Sequence, residues 1–195
     1  MIVEKLYGMP KIVYYHDVFT SDECDYVLNN IDNYQRSLGF DLDTKESKTT
    51  DWRTSSQYYD FSNKFKFINE RVMKLTNYPV VNIEQIQILR YEPGEYYKPH
   101  YDFFNFPPKW VSTDNDRVAT AITYLNDEFE GGYTNFPDLN IEVKPKKGST
   151  LVFEYNADTD TNKKTLHGGL PVVSGAKYIA TSWIRGRAWG TDDGP

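Results

Sequence analysis

Near residue 80 the spacing of apolar residues in this chain changes from three and four to two, and that change restricts the folds it can adopt. Downstream, period-two segments predict strands at 83–91, 97–104, 117–125, 141–144, 149–155 and 177–185. Pro93-Gly94, Gly131-Gly132, Lys147-Gly148 and Ser174-Gly175 suit tight reversals between them. Upstream, "KIVYY" reads as a short strand, and "TSDECDYVLNNIDNY" predicts a helix. Thr20 is its N-cap, Glu23 completes a capping box, and Cys24, Val27, Leu28 and Ile31 form its apolar stripe. Phe61, Phe65, Ile68, Val72 and Leu75 predict a second helix over 61–76, ended by Asn77 and Tyr78-Pro79. Residues 37–51 are polar and aperiodic and read as a mobile loop. The expectation is one mainly β domain with flanking helices (α+β): helical support over roughly 1–80 and a strand core, sandwich or barrel, over roughly 81–187. A parallel α/β fold is disfavoured, and neither standard glycine-rich phosphate loop occurs.

Composition narrows the functional classes. A formal charge of -6 opposes binding nucleic acid through a broad basic face. The lysines of "KPKKG" and "NKK" flank turns, where solvated charge is ordinary. No apolar stretch approaches the ~20 residues of a bilayer span, so no membrane association is expected. The first residues lack a secretory h-region, so the expected location is cytoplasmic. One cysteine, Cys24, forms no internal disulfide and no thiolate zinc cluster, and reads as core filler.

His100 and Asp102 lie two positions apart in "YYKPHYDFF", which on a strand directs both side chains to one face. His167 supplies a third ligand. Two imidazoles and a carboxylate on a β scaffold fit the facial triad that holds non-heme Fe(II) with open positions, and equally a His₂-carboxylate zinc site. Lys177 lies ten residues past His167, and alternation puts Lys177, Ile179, Thr181 and Trp183 on one face of the last strand. An inward lysine is costly without an anion, and a ligand carboxylate would satisfy it.

With "WRTSS", "IQILRYEPGEYYKPHYDFF", "RVATAITYLND", "EGGYTNFP", "VKPKKGSTLVF" and "LHGGLPVVSGAKYIATSW" in order, the chain resembles the prolyl 4-hydroxylase branch of the Fe(II)/2-oxoglutarate-dependent dioxygenases. The resemblance implies a double-stranded β-helix (jelly roll) backed by N-terminal helices. It also implies iron held by His100, Asp102 and His167, and 2-oxoglutarate held by Lys177 with help from Tyr91 and Thr134. The implied reaction hydroxylates peptidyl proline with O₂ while 2-oxoglutarate is decarboxylated to succinate and CO₂, with ascorbate as accompanying reductant. Compact members of this kind occur in bacteria, algae and viruses.

The implied partner is a proline-containing peptide or protein, and the chain is expected to act as a monomer. Tyr97, Tyr101, Phe104, Trp110 and Trp183 are candidates for an aromatic groove, with the 37–51 and 104–116 loops as lids. Arg53, Ser55, Glu84 and Arg117 are candidate peptide contacts or buried hydrogen-bond staples. His16 reads as structural. Tyr178 stands where tryptophan is common in the family, a departure that could reshape the pocket wall. Two alternatives remain at this stage: the same chemistry on a free amino acid or another side chain, and a jelly-roll binding module without turnover.

Overall fold

The Glu23 amide donates to Thr20 Oγ1 at 3.2 Å, and the Thr20 amide donates to the Glu23 carboxylate at 2.8 Å. This closes the expected capping box and starts the first helix. The computed structural model describes residues 1–41, 46–103, 117–155 and 157–190. Its elements are β1 (Ile2–Tyr7), β2 (Ile12–His16), α1 (Ser21–Leu28), β3 (Gln35–Arg36), β4 (Gly39–Asp41), β5 (Glu46–Lys48), β6 (Ser56–Tyr59), α2 (Lys66–Thr76), β7 (Gln87–Tyr91), β8 (Tyr97–His100), β9 (Arg117–Tyr124), β10 (Glu130–Gly131), β11 (Thr134–Phe136), β12 (Ile141–Val143), β13 (Thr150–Glu154), α3 (Thr159–Lys163), β14 (His167–Gly169), β15 (Val172–Ser174) and β16 (Lys177–Arg185).

An eight-stranded antiparallel sheet runs β1-β2-β13-β9-β16-β7-β6-β3, and a four-stranded sheet runs β12-β11-β14-β8. Strand alternation divides the apolar residues of the large sheet into two layers. Leu89, Tyr91, Ile122, Tyr124, Leu151, Phe153 and Ile179 join Phe136, Val143 and Val172 in a core between the sheets. Their neighbours Ile88, Ala119, Ala121, Val152, Ala180 and Ile184 join Cys24, Val27, Phe65, Ile68 and Val72 under the helices. Small alanines on this second face let α2 approach closely, and the Ser182 hydroxyl fastens it by donating to Asn69 Oδ1 at 2.7 Å. This two-sheet arrangement backed by helices is the mainly β jelly roll that the sequence implies.

Several boundaries differ from expectation for local reasons. The first helix stops at Leu28, yet Ile31 and Tyr34 still pack on the same core from non-helical backbone. The second starts at Lys66, because the buried Asp60 carboxylate accepts the Lys64 and Phe65 amides at 3.0 and 2.6 Å while Asn63 takes φ 57°. Its end is as read, with Asn77 left-handed at φ 61°. The expected strands at 83–91 and 97–104 contract to β7 and β8, and Phe104 lies outside the described residues.

The 37–51 segment, read as a loop, contains β4 paired with β5. Before residue 80 the chain also supplies β1, β2, β3 and β6 to the edges of the large sheet, so that region is more than helical support. Strands β11, β14 and β15 escaped notice because three residues are too few to display a period of two. The turns at Gly94, Gly131, Gly132, Gly148 and Gly175 all carry positive φ, as their composition suggests. No described helix is long and apolar enough to cross a membrane.

Removing the side chain that anchors α2 gives a direct measure of the helical layer. Ile68→Ala, at a fully buried position, should cost about 2–5 kcal/mol, read as a lowered urea midpoint at unchanged m-value.

Candidate active site

Strands β8 and β14 pair antiparallel with His100 directly opposite His167, so backbone register alone places the two imidazoles together. Asp102 follows two residues later and is buried. His100 Nε2 lies 3.5 Å from Asp102 Oδ1, and His167 Nε2 lies 3.5 Å from Asp102 Oδ2. One ligand atom from each of the three residues falls within 4.8 Å of the others, the spacing expected around a single cation.

Surrounding groups fix how these atoms point. Each histidine Nδ1 lies 2.9 Å from the carbonyl two residues upstream, Lys98 for His100 and Thr165 for His167. A carbonyl only accepts, so Nδ1 carries the proton and Nε2 presents its lone pair to the metal. Tyr97 stacks on His100 at 3.6 Å between ring centroids, and Phe153 packs on His167 at 4.5 Å. Burial lowers the His167 pKa to about 4, which keeps this ring neutral and able to ligate at pH 7.

Burial on its own would raise the Asp102 carboxyl, but His167 and His100 in their protonated forms, together with Arg117, hold it well below the usual carboxylate range. Thr120 Oγ1 donates to Asp102 Oδ2 at 2.7 Å. With that proton committed, the Tyr155 hydroxyl donates to Thr120 in turn, across 2.8 Å. Sequence reading missed Thr120 and Tyr155. The signal for Thr120 was the alternation of β9, which puts it on the same face as Ile122 and Tyr124.

The cavity beside the triad is lined on its deep side by Lys177, Tyr91, Thr134, Ile179 and Gly169. Lys177 faces inward as alternation predicts, its ammonium 5.3 Å from the centre of the Tyr91 ring. It donates to the Gly132 carbonyl at 2.6 Å. Burial lowers its pKa to about 7, a level that a bound carboxylate would reverse. Thr134 Oγ1 accepts the Tyr124 hydroxyl at 2.8 Å, which frees its own proton for a ligand in the cavity. A Cβ on Gly169 would stand 4.0 Å from Lys177 Nζ, so glycine keeps open the space before the ammonium. The donor set thus fits both groups implied by the sequence: nitrogen and carboxylate ligands for a divalent metal, and a buried cation with hydroxyl donors for a dicarboxylic acid.

The candidate substrate residues separate into two groups. Arg53 and Trp183 line the cavity; the Arg53 guanidinium lies 5.0 Å from the centre of the Tyr97 ring and donates to Gln87 Oε1 at 2.9 Å. Ser55, Glu84 and Arg117 do not line it. Glu84 accepts Arg117 Nε at 2.7 Å and Arg185 Nε at 2.8 Å, which makes it a buried staple rather than a peptide contact. Arg117 stacks 4.0 Å from Trp183 and donates to the Asp102 carbonyl at 3.3 Å, bracing the site from behind.

Ser55 is fully buried against Ser37 at 2.8 Å. Tyr101 packs on Phe103 instead of entering the cavity, and Trp110 and the 104–116 lid lie outside the described residues. Tyr178 points away from Lys177 and packs near Tyr34, so the departure at that position leaves the pocket wall untouched. His16 pairs with Glu4 at 3.0 Å, far from this chemistry.

Residues 86–185 match the family model of the 2OG-Fe(II) oxygenase superfamily, and the chain belongs to that superfamily. It falls in the prolyl 4-hydroxylase branch. Prolyl 4-hydroxylase 1 of Arabidopsis thaliana is 34% identical over 199 residues, covering 92% of this chain and 70% of that protein. A crystal structure of a viral collagen prolyl hydroxylase from Paramecium Bursaria Chlorella virus-1, in complex with 2OG, superposes with a TM-score of 0.67 at 32% identity, covering 89% of this chain and 95% of that one. A Pseudomonas putida prolyl-4-hydroxylase shares the fold at a TM-score of 0.61 and 16% identity, over 91% of this chain and 93% of that one. The chain is a 2-oxoglutarate-dependent dioxygenase that uses Fe(II), 2-oxoglutarate and O₂.

Holding a lysine inside the fold with only a backbone carbonyl as hydrogen-bond partner among the described residues carries a stability cost. Its folded pKa of about 7 lies below the unfolded value near 10.5, so the cost is fully present below pH 7 and fades as pH rises towards 10.5. Lys177→Met should therefore raise the melting temperature of the ligand-free protein at pH 7 by several degrees, with the gain shrinking at pH 9 to 10, as read by calorimetry.

Proposed function

We propose that this chain hydroxylates proline residues in a peptide or protein, with His100, Asp102 and His167 holding Fe(II), and Lys177, Tyr91 and Thr134 holding 2-oxoglutarate. The observation that carries this reading is one cavity lined by a three-ligand cluster and a buried ammonium that has only a backbone carbonyl as its hydrogen-bond partner among the described residues. When bound, the metal supplies the redox chemistry that couples O₂ to oxidative decarboxylation of 2-oxoglutarate and insertion of hydroxyl into a C–H bond. The protein supplies position. Lys177 pairs with the far carboxylate of the co-substrate and sets the acceptable length of the acid, while the Tyr91 and Thr134 hydroxyls donate to it. Ile122, Leu89 and Ile179 keep water from the reacting atoms.

The proline substrate follows from the branch to which the chain belongs and from the rim of the cavity. Trp183 lines the cavity beside Arg53, and Trp52, stacked on the lining Tyr97 at 5.8 Å, extends the aromatic surface on which an extended, proline-containing strand packs. A monomeric state is consistent with the exposed edge strand. Two-fold antiparallel pairing of β1 with a second copy opposes Glu4 to Glu4 or Lys5 to Lys5 in its longest registers, and like charges directly opposite disfavour it.

Succinate release with Fe(II) and 2-oxoglutarate should be stimulated by proline-containing peptides, which gain one oxygen by mass; stimulation only by other acceptors would reassign the substrate. His167→Ala should abolish turnover, whereas Lys177→Ala should raise the KM for 2-oxoglutarate by at least an order of magnitude. Because the ammonium form binds the co-substrate and its free pKa is about 7, affinity should fall by up to tenfold per pH unit above 7. Calorimetry in buffers of different ionisation enthalpy should show the matching proton uptake, and Lys177→Ala should remove it.

A further inference from the structure

Lys177 sits where one edge of its strand loses its main-chain partner. Strand β9 pairs with β16 from Arg117 opposite Arg185 to Tyr124 opposite Ile179, and the Leu125 amide still donates to the Tyr178 carbonyl at 2.9 Å. In a continued antiparallel ladder the Tyr178 amide would return that bond to the Leu125 carbonyl. It donates instead to Asn126 Oδ1 at 2.8 Å, while Asn126 Nδ2 donates to the Ala176 carbonyl at 2.8 Å. One carboxamide thus grips the main chain on both sides of Lys177, across from the edge where Lys177 pairs with Tyr91. Asn126 is buried and does not line the cavity, whereas Lys177 does.

Further along, the same segment meets the other end of the lysine. The Gly132 carbonyl accepts Lys177 Nζ at 2.6 Å, and a Cβ on Gly132 would stand 3.2 Å from Lys177 Cδ. The Gly132 amide in turn donates to the Pro171 carbonyl at 2.9 Å, so this stop is itself fixed. We propose that the 126–132 segment holds Lys177 at both ends, with Asn126 as a positioning residue that acts on 2-oxoglutarate through the lysine. This rests on the reading that Lys177 takes the far carboxylate of the co-substrate. A lysine side chain has more rotamer freedom than most, and freedom that survives in the free protein is lost on binding and weakens it. Fixing the main chain at one end and the ammonium at the other removes that freedom in advance, and sets where the ammonium stands relative to the three metal ligands.

Asn126→Ala in the full chain tests the holder. The KM for 2-oxoglutarate of the Fe(II) enzyme, and the Kd of the Mn(II)-loaded protein by calorimetry, should each rise about three- to tenfold, the loss of one net hydrogen bond. The KM for peptide, kcat and Mn(II) affinity should stay unchanged. Pyruvate shares the 2-oxo acid end of 2-oxoglutarate but has no far carboxylate, so its inhibition constant should not move either. Asn126→Asp keeps the acceptor for the Tyr178 amide and loses the donor to the Ala176 carbonyl; it should give the same pattern if Asn126→Ala is too unstable to assay. A matching rise in the pyruvate constant, or no change for 2-oxoglutarate in either variant, would overturn the holder. Unchanged 2-oxoglutarate affinity in Lys177→Ala would instead remove the reading of Lys177 on which the holder rests.

Discussion

The site depends on one piece of backbone register: the pairing of β8 with β14 that sets His100 opposite His167. Two imidazoles from distant parts of the chain are brought together by main-chain hydrogen bonds alone, and each ring is then oriented by a carbonyl of its own segment. Asp102 needs no strand of its own, because the Thr120 hydroxyl reaches it from the facing sheet. The small sheet thus carries the nitrogen ligands, the large sheet secures the carboxylate, and the two-sheet core fixes the distance between them. The three ligand atoms stand at the spacing that a divalent ion requires.

Electrostatics in the cavity follows from the same enclosure. Removing water lowers the pKa of both His167 and Lys177, which keeps the imidazole neutral for a metal and leaves the lysine short of a partner. The first effect favours a cation and the second an anion, side by side. A dicarboxylic acid that reaches from metal to lysine resolves both, which is why the stability cost of Lys177 and the affinity for co-substrate are two aspects of one burial. Arg117, by contrast, is fully engaged: it is held by Glu84, stacks on Trp183 and braces the Asp102 backbone, the staple role that was one of its two sequence readings.

Much of this was legible in the chain before any coordinates. The period-two pattern placed β16 and the inward face of Lys177, His-x-Asp placed two ligands on one side, and the position of Lys177 ten residues past His167 linked the two chemistries. Local chemistry also gave the α1 cap and the α2 stop. What was hidden has two physical causes. The hairpin within 37–51 and strands β11 and β14 are built from three-residue strands too short to display a period, and the partnerships of Thr120, Ser37 and Glu84 join separate segments that no local periodicity connects. Ser55 and Glu84 read from sequence as either peptide contacts or buried hydrogen-bond staples, because a polar side chain in a motif suits both. Inside this fold their ligands are other protein groups.

Strand β16 presents Lys177, Ile179, Thr181 and Trp183 to the cavity and Tyr178, Ala180, Ser182 and Ile184 to the helices. A slip of one residue along β7 and β9 would exchange the two sets, forcing a bulky phenol into the anion pocket and a primary amine against the alanine-lined bed of α2. Folding fidelity and co-substrate recognition are thereby inspected by a single alignment, so a misthreaded chain cannot pass as a defective enzyme; it forfeits its fold as well.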